Sequence, residues 1–556
     1  MRRPGLTHID KRHRFGRRLL ALATVLAVAT AALAVGSLTA SSPKHSRQEV
    51  ARHILHTKAG SLMTASGRVA VDRAAGLERP QRPSDADGGP DFGKVSLAKG
   101  GAGADSPAFT NVRVNNPAAD TLLDQTTQSE TTVAVSGSNV VVGYNDSQHS
   151  LPFFTAALNL TGYAYSSNGG ATWTDAGVLP NAPGAENVGD PWLATDRAGK
   201  FYYATLIVAA DTLNGNIGVA RSTNGGKTFS PPVNVSPPDE FFGDKEAMTT
   251  GPDPVTKSRD NLYVTWDNFG CDDTGCFEGL VLARSIDSGA TWTTSYLDKH
   301  YDVFDENNPD CSFQQYIGAQ PLVDPKDGTL YIAAERFSVV DVGCLGGTFT
   351  QEQSLFVSTN GGATFGPRIK IADVTSATPF GAVNLGPGQF MRTIEFPVMA
   401  IFKNALYVAW NNGSNASSDH SHIRLAKSTN RGSSWSLSWV TSGSNDEYQP
   451  ALSADAGALH LLYYQRNANN TLDVRLGNST SGSSFNSKRV TTTSFPGVLT
   501  VPQFDPIIAW GYMGDYIANV SDGSHVYLAW GDNRDKVVNQ LWPAGRNDPN
   551  VYFAAR

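Results

Sequence analysis

One eight-residue phrase returns through most of this chain. Ser-x-Asn/Asp-x-Gly-x-Thr/Ser-Trp/Phe stands at Ser166–Trp173, Ser222–Phe229, Ser285–Trp292, Ser358–Phe365 and Ser428–Trp435, with a worn copy at Asn478–Phe485. Successive copies begin 50 to 73 residues apart. Self-similarity at such a period means repeated supersecondary units that bury their apolar faces against one another. Each copy sets turn formers between an apolar run, such as Leu355-Phe356-Val357, and a closing aromatic, which predicts a hairpin with a structured tip. Asn168, Asn224, Asp287, Asn360 and Asn430 are read as structural. Their side chains can bond amides of their own turn, the glycine takes positive φ, and the aromatic can plug the gap between units.

A second phrase precedes each copy: Val140–Tyr144, Phe201–Ala204, Leu262–Trp266, Leu330–Ala333, Leu406–Trp410, Leu459–Tyr463 and Val526–Trp530. β-Branched and aromatic runs bounded by turn residues are strands. A third, upstream series, including Glu130–Val135, Asp190–Ala194, Glu395–Ala400 and Asp515–Val520, adds another strand per unit. With the hairpin's return strand, each unit has four strands in about 60 residues, the size of a propeller blade. The expected fold is all-β, a β-propeller of seven four-stranded blades, with six as the alternative. The last unit stops at Val551–Ala554, short of its outer strand. Thr110–Val114, just before the first unit, is expected to supply that strand and close the ring, removing an exposed edge.

In such meanders the boxes share one face with the short turns, and the other face carries the long loops. Function is expected on the loop-rich face, where insertions are tolerated. The inner strands begin there with polar residues: Glu130, Asp190, Asp244 and Glu246, Glu395, Asp515, and the amides Gln320 and Gln449. Crowded carboxyls raise one another's pKa, so an acid and a base can coexist near neutral pH. Glu130, Glu246 and Asp515 are therefore candidate substrate-binding groups. Three second strands end on the same face in arginine, Arg336, Arg466 and Arg534, whose guanidinium groups can hold a carboxylate by paired hydrogen bonds. All four cysteines fall in these loops, and the topology favours Cys271 with Cys276 and Cys311 with Cys344. Asp302, Asp305 and Asp310 crowd one loop and offer oxygen ligands suited to calcium, although the spacing is not that of an EF-hand. No cofactor is required by this reading, and calcium would order the loop.

The boxes and strands resemble the Asp-box repeats, also called bacterial neuraminidase repeats, of the sialidase-like β-propeller superfamily, over about residues 110–556. Sialidases hold a sugar carboxylate with three arginines, use an Asp as acid/base and pair a nucleophilic Tyr with a Glu. The resemblance thus implies Arg336, Arg466 and Arg534 as the clamp, Asp190 as the acid, Tyr516 as the nucleophile and Glu395 as its partner. It departs from the family in lacking an Arg-Ile-Pro near the first unit. The activity implied is an exo-acting glycoside hydrolase of sialidase type on an extracellular glycan or glycoprotein. The alternative is a non-catalytic surface or adhesion propeller that binds protein or polysaccharide.

Composition sets the surroundings. With 44 Lys/Arg against 51 Asp/Glu the formal charge is -7, and removing residues 1–40, which hold seven Lys/Arg and Asp10 alone, leaves the remainder more acidic. An acidic surface argues against nucleic acid and anionic membranes as partners. Residues 1–40 read as a signal peptide: a basic lead, an apolar run Leu19–Val35 and a small-residue stretch. Residues 41–107 read as a disordered stalk or pro-region. Residues 108–556 form the propeller of a secreted or cell-surface monomer, free of the membrane once the signal is removed.

Overall fold

The computed structural model describes residues 75, 109–119, 127–149, 158–210, 212, 214–272, 276–301, 313–340, 348–377, 382–386, 389–414, 420–497, 513–538 and 543–556. Within them the chain is all-β, apart from one 3-10 turn at Pro117–Ala119. Four-stranded antiparallel meanders follow one another along the chain. Their first strands are Gln128–Ser136, Ala185–Thr195, Glu240–Pro252, Phe313–Val323, Val398–Phe402, Asp446–Ala454 and Ala518–Ser521. These strands touch each other in chain order, and the last touches the first. The first three meanders are also joined into one twelve-stranded sheet through single parallel pairings, Asn159 with Asn187 and Gly215 with Phe242.

The second strands explain why both faces of each meander are apolar. Along Leu406–Trp410, Leu406, Val408 and Trp410 pack against the fourth meander, whereas Tyr407 and Ala409 pack against the sixth. The period-2 alternation of a strand therefore feeds two separate cores. The same division recurs at every junction, so the interior is a set of layers between neighbouring sheets. Trp266, Trp410 and Trp530 are fully buried in these layers. Their indole N–H groups donate to Glu240 Oε2 at 2.6 Å, Asn412 Oδ1 at 3.0 Å and Asp532 Oδ2 at 2.9 Å, so the burial leaves no orphan donor.

The repeated boxes fold alike. In the first, Ser166 Oγ donates to Asn168 Oδ1 at 2.8 Å and accepts the Gly170 amide at 2.9 Å, while Asn168 Oδ1 takes the Thr172 amide at 3.0 Å. The same pattern holds at Asn224, Asp287, Asn360 and Asn430. The worn copy is one residue shorter than its sequence alignment from Asn478 suggests. Ser479 takes the first position, accepting the Gly482 amide at 2.9 Å, and Ser481 takes the Asn position.

The seventh meander is completed from the other end of the chain, where Val112–Arg113 pairs antiparallel with Arg546–Ala555, Val112 facing Phe553. Asn115 clamps the joint, donating to Asn550 Oδ1 at 2.7 Å and accepting the Val551 amide at 2.9 Å. Cys271 and Cys276 stand opposite each other in the ladder, and Cys311 and Cys344 lie outside the described residues. Ala75 is buried in the apolar cluster that holds Leu160 of the first meander, Leu206 of the second and Trp266 of the third. No helix among the described residues is long and apolar enough to cross a membrane.

Candidate functional site at the axis

The inner strands carry an irregularity at one level. Register shifts fall at Ser129/Thr132, Gly189/Trp192, Asp244/Ala247, Ile317/Gln320 and Tyr448/Ala451. At those bulges Glu130, Asp190, Lys245 and Gln449 have φ of 52°, 54°, 53° and 49° and Gly318 takes the equivalent left-handed conformation, as does Gly514 ahead of the seventh meander's first strand. A non-glycine residue in that region costs about 1–2 kcal/mol, so the ring of bulges is held by its surroundings. A bulge re-aims side chains, and here it brings polar groups of different meanders to the axis.

The resulting cluster is buried. The charges of Asp190, Asp515 and Lys245 all act on Glu130, and those of Asp190 and Lys245 act on Asp515. Lys245, 3% exposed, lies with Nζ 3.6 Å from the centre of the Tyr516 ring, 4.9 Å from Trp192 and 5.3 Å from Phe396. Arg392 Nε approaches Asp515 Oδ1 at 2.8 Å. Asn145 Nδ2 donates to Glu130 Oε2 at 2.8 Å, and its Oδ1 accepts the Asp190 amide, also at 2.8 Å. The Asp515 amide donates to Glu130 Oε1 at 3.1 Å, linking the last meander to the first. Gln449 Nε2 donates to the carbonyls of Gly514 at 2.7 Å and Arg392 at 3.0 Å.

Four carboxyls, Glu130, Asp190, Glu246 and Asp515, thus face two cations, and a low-dielectric site does not hold that excess of negative charge. Burial, followed by the neighbouring Asp190, raises Glu130 and Glu246 well above the ordinary carboxyl range. Burial raises Asp515 to about 6, with Arg392 opposing. A cavity of about 200 Å³ runs along the axis beside this cluster, bounded by Lys245, Gln449, Asp515 and Tyr516 and by apolar groups such as Met248 and Met399.

The structure brings Glu130, Asp190, Glu246, Asp515 and Tyr516 into one neighbourhood. Tyr516 donates its hydroxyl to the Pro191 carbonyl at 3.0 Å, and burial, then Glu130, pushes its pKa well up. Glu395 sits on another wall, where Gln351 Nε2 reaches Glu335 Oε1 at 2.6 Å and Glu395 Oε2 at 3.4 Å. The three arginines are not brought onto one partner. Arg336 bonds Gln314 Oε1 at 3.0 Å and Ser338 Oγ at 2.9 Å. Arg466 is paired with Asp446, Nε to Oδ2 at 2.5 Å. Arg534 forks onto Asp532, with Nε to Oδ1 at 2.9 Å and Nη2 to Oδ2 at 2.5 Å. Asp302, Asp305 and Asp310 lie outside the described residues. Sequence reasoning missed Lys245 and Arg392 as the cations of the cluster. The signal was Lys245 between Asp244 and Glu246 in a strand that turns apolar directly afterwards.

The second and third strands of the fourth meander, Leu330–Val340 and Thr348–Ser358, form a long hairpin. Phe349, 44% exposed, stacks on buried Phe337 with ring centres 6.1 Å apart. Phe337 packs in turn with Ile317, Ile394 and Phe396, joining the exposed ring to the aromatic cage of Lys245.

Neither a protein-family model nor a curated protein sequence matches this chain. Among solved structures it is similar to a Dyadobacter fermentans protein of unknown function, at 13% identity over 80% of this chain and 97% of that one, with a TM-score of 0.39. It is also similar to an ulvan lyase, a polysaccharide lyase, at 10% identity over 77% and 93% of the two chains and a TM-score of 0.45. Similarity to the Trypanosoma rangeli sialidase in complex with sialic acid covers 81% of this chain but 59% of that one, at 10% identity and a TM-score of 0.37.

Proposed function

We propose that this protein is an exported, sialidase-like β-propeller of seven four-stranded blades whose loop-rich face binds an extracellular glycan. The observation that carries the reading is the exposed Phe349 ring, stacked on Phe337 beside a wall of polar groups, Gln351, Glu335 and Glu395. A sugar ring presents its C–H face to an aromatic and its hydroxyls to polar groups such as amides, and the hairpin offers the exposed Phe349 ring and the half-buried Gln351 amide.

The roles implied by a sialidase are supported unevenly. Glu395 is buried and accepts a hydrogen bond from Gln351 Nε2 at 3.4 Å within this wall. The hydroxyl of Tyr516 is committed to a backbone carbonyl, and Arg466 and Arg534 are committed to carboxylates of their own blades. A guanidinium already forked onto a carboxylate offers little to a second one. Binding without turnover is therefore the form of the function we favour.

The deciding experiment presents the full-length protein to a glycan array, with an aryl sialoside turnover assay run alongside. We expect saccharide binding that Phe349→Ala weakens at least tenfold, and no turnover. Absence of binding to any saccharide, or binding indifferent to Phe349→Ala, overturns the reading. Turnover abolished by Glu395→Gln replaces it with a glycoside hydrolase.

A further inference from the structure

We propose a second ligand site, for a carboxylated sugar, in the seam between the sixth and seventh meanders on the face that carries the boxes. A methyl group placed on Gly170 would meet Phe553, on Gly226 Val141, on Gly289 Tyr202, on Gly362 Leu282 and Tyr263, on Gly432 Leu355 and on Gly482 Tyr407. Each box therefore seats a glycine against the meander before it, and the first box seats against the seventh meander. The remaining seam has no such turn among the described residues, because the seventh meander takes its outer strand, Val112–Arg113, from the start of the propeller.

A cavity of about 380 Å³ lies in that seam. Its walls match the seat of a box glycine. Gly362 rests among Leu282, Tyr263 and Leu330, and the cavity is bounded by Leu476, His460 and Val526. Leu476 precedes Ser479 by the same three residues that separate Leu282 from Ser285, while His460 and Val526 hold the strand positions of Tyr263 and Leu330. Tyr202, Tyr263, Tyr331, Tyr407 and Tyr527 occupy the His460 position in other meanders. The sixth meander thus has a shorter, polar ring where five others have a phenol, next to the seam that no box glycine fills.

The polar groups define the ligand. His460 is fixed by Asp455 Oδ2 at 2.9 Å and Asn478 Oδ1 at 2.5 Å. Asp455 also accepts the amides of Gly457 at 2.6 Å and Ala458 at 2.8 Å, so its charge is compensated within its own turn. Lys488 and Arg556 bring positive charge, and Asn486 and Ser524 bring neutral donors and acceptors. Two cations suit a carboxylate, the amide and hydroxyl suit sugar hydroxyls, and Leu476 and Val526 suit the apolar face of a pyranose.

The test is titration of the full-length protein with glucuronate, glucose and acetate, followed by ligand-detected NMR. Glucuronate should bind at least tenfold more tightly than either glucose or acetate. Lys488→Ala should weaken it at least fivefold. His460→Tyr, which restores the residue found in five other meanders, should abolish binding without lowering the melting temperature. Phe349→Ala, on the opposite face, should leave glucuronate binding unchanged, which separates failure here from failure of the glycan site proposed above. Acetate binding as tightly as glucuronate would make this a free-anion site, and glucuronate binding that survives His460→Tyr would place the sugar elsewhere. Either result overturns the proposal, as does the absence of binding.

Discussion

Lys245 is the cation around which the axis is assembled, caged by Tyr516, Trp192 and Phe396 and surrounded by carboxyls. Replacing it by a neutral side chain of similar length leaves buried carboxyls without compensation, which costs about 3–5 kcal/mol. Lys245→Met should therefore lower the unfolding free energy by that amount in a urea titration, whereas an unchanged midpoint would show that the cluster is neutral without it. Asp515 supplies a pH test. Its folded pKa is raised from 3.8 to about 6, first by burial, so between those values the folded protein holds a proton that the unfolded chain has released. Its stabilising contribution is complete below that window and is lost as pH rises through 6. Denaturation at pH 4.5 and 6.5 should show the protein less stable at the higher value, and Asp515→Asn should flatten the difference. The carboxyls were legible in the sequence because each interrupts an apolar strand. Their partners were not: Glu130 and the Asp515 amide it accepts at the axis lie 385 residues apart.

At the scale of the element, the box does two jobs that glycine substitutions can separate. Gly169 and Gly226 have φ of +70° and +79°, so a side chain at either is strained. A Cβ on Gly169 meets nothing within 4 Å, whereas one on Gly226 would lie 2.0 Å from Val141 Cγ2 of the neighbouring meander. Gly169→Ala should cost about 1 kcal/mol, the penalty of the left-handed conformation alone. Gly226→Ala should cost about 1–3 kcal/mol more, the price of overpacking the seam. Equal melting temperatures for the two variants would mean that the box does not seat against its neighbour. The turn itself was readable from Ser166, Asn168 and Gly170, because its hydrogen bonds are local. Which neighbour the glycine enters was not, because that contact depends on how whole sheets stack. The one-residue contraction at Ser479 escaped the sequence alignment for a related reason, since Ser481 reproduces the Asn bonds with a different side chain.

At the scale of the whole molecule, the closing joint is a short one, Val112–Arg113 on Arg546–Ala555, reinforced by Asn115. Asn115→Ala removes both side-chain bonds and leaves the Val551 amide without its side-chain partner, at a cost of about 2–3 kcal/mol. A loosened joint exposes the edge of Arg546–Ala555, and an exposed edge recruits other strands. Light scattering should accordingly report association of Asn115→Ala at temperatures where the parent protein stays dispersed; identical scattering would show that the joint is not what protects that edge. The repeat length, the four strands per unit, the meander order and the origin of the final strand all followed from the sequence, because turns, alternation and chain order are local properties. The tertiary structure alone decided which charges meet. The axial bulges turn Glu130, Asp190, Lys245 and Gln449 toward a common centre, and Arg466 and Arg534 fold back onto carboxylates of their own meanders. Such pairings are chosen by the dielectric and geometry of a site built from several sheets at once, and no spacing along one strand encodes them.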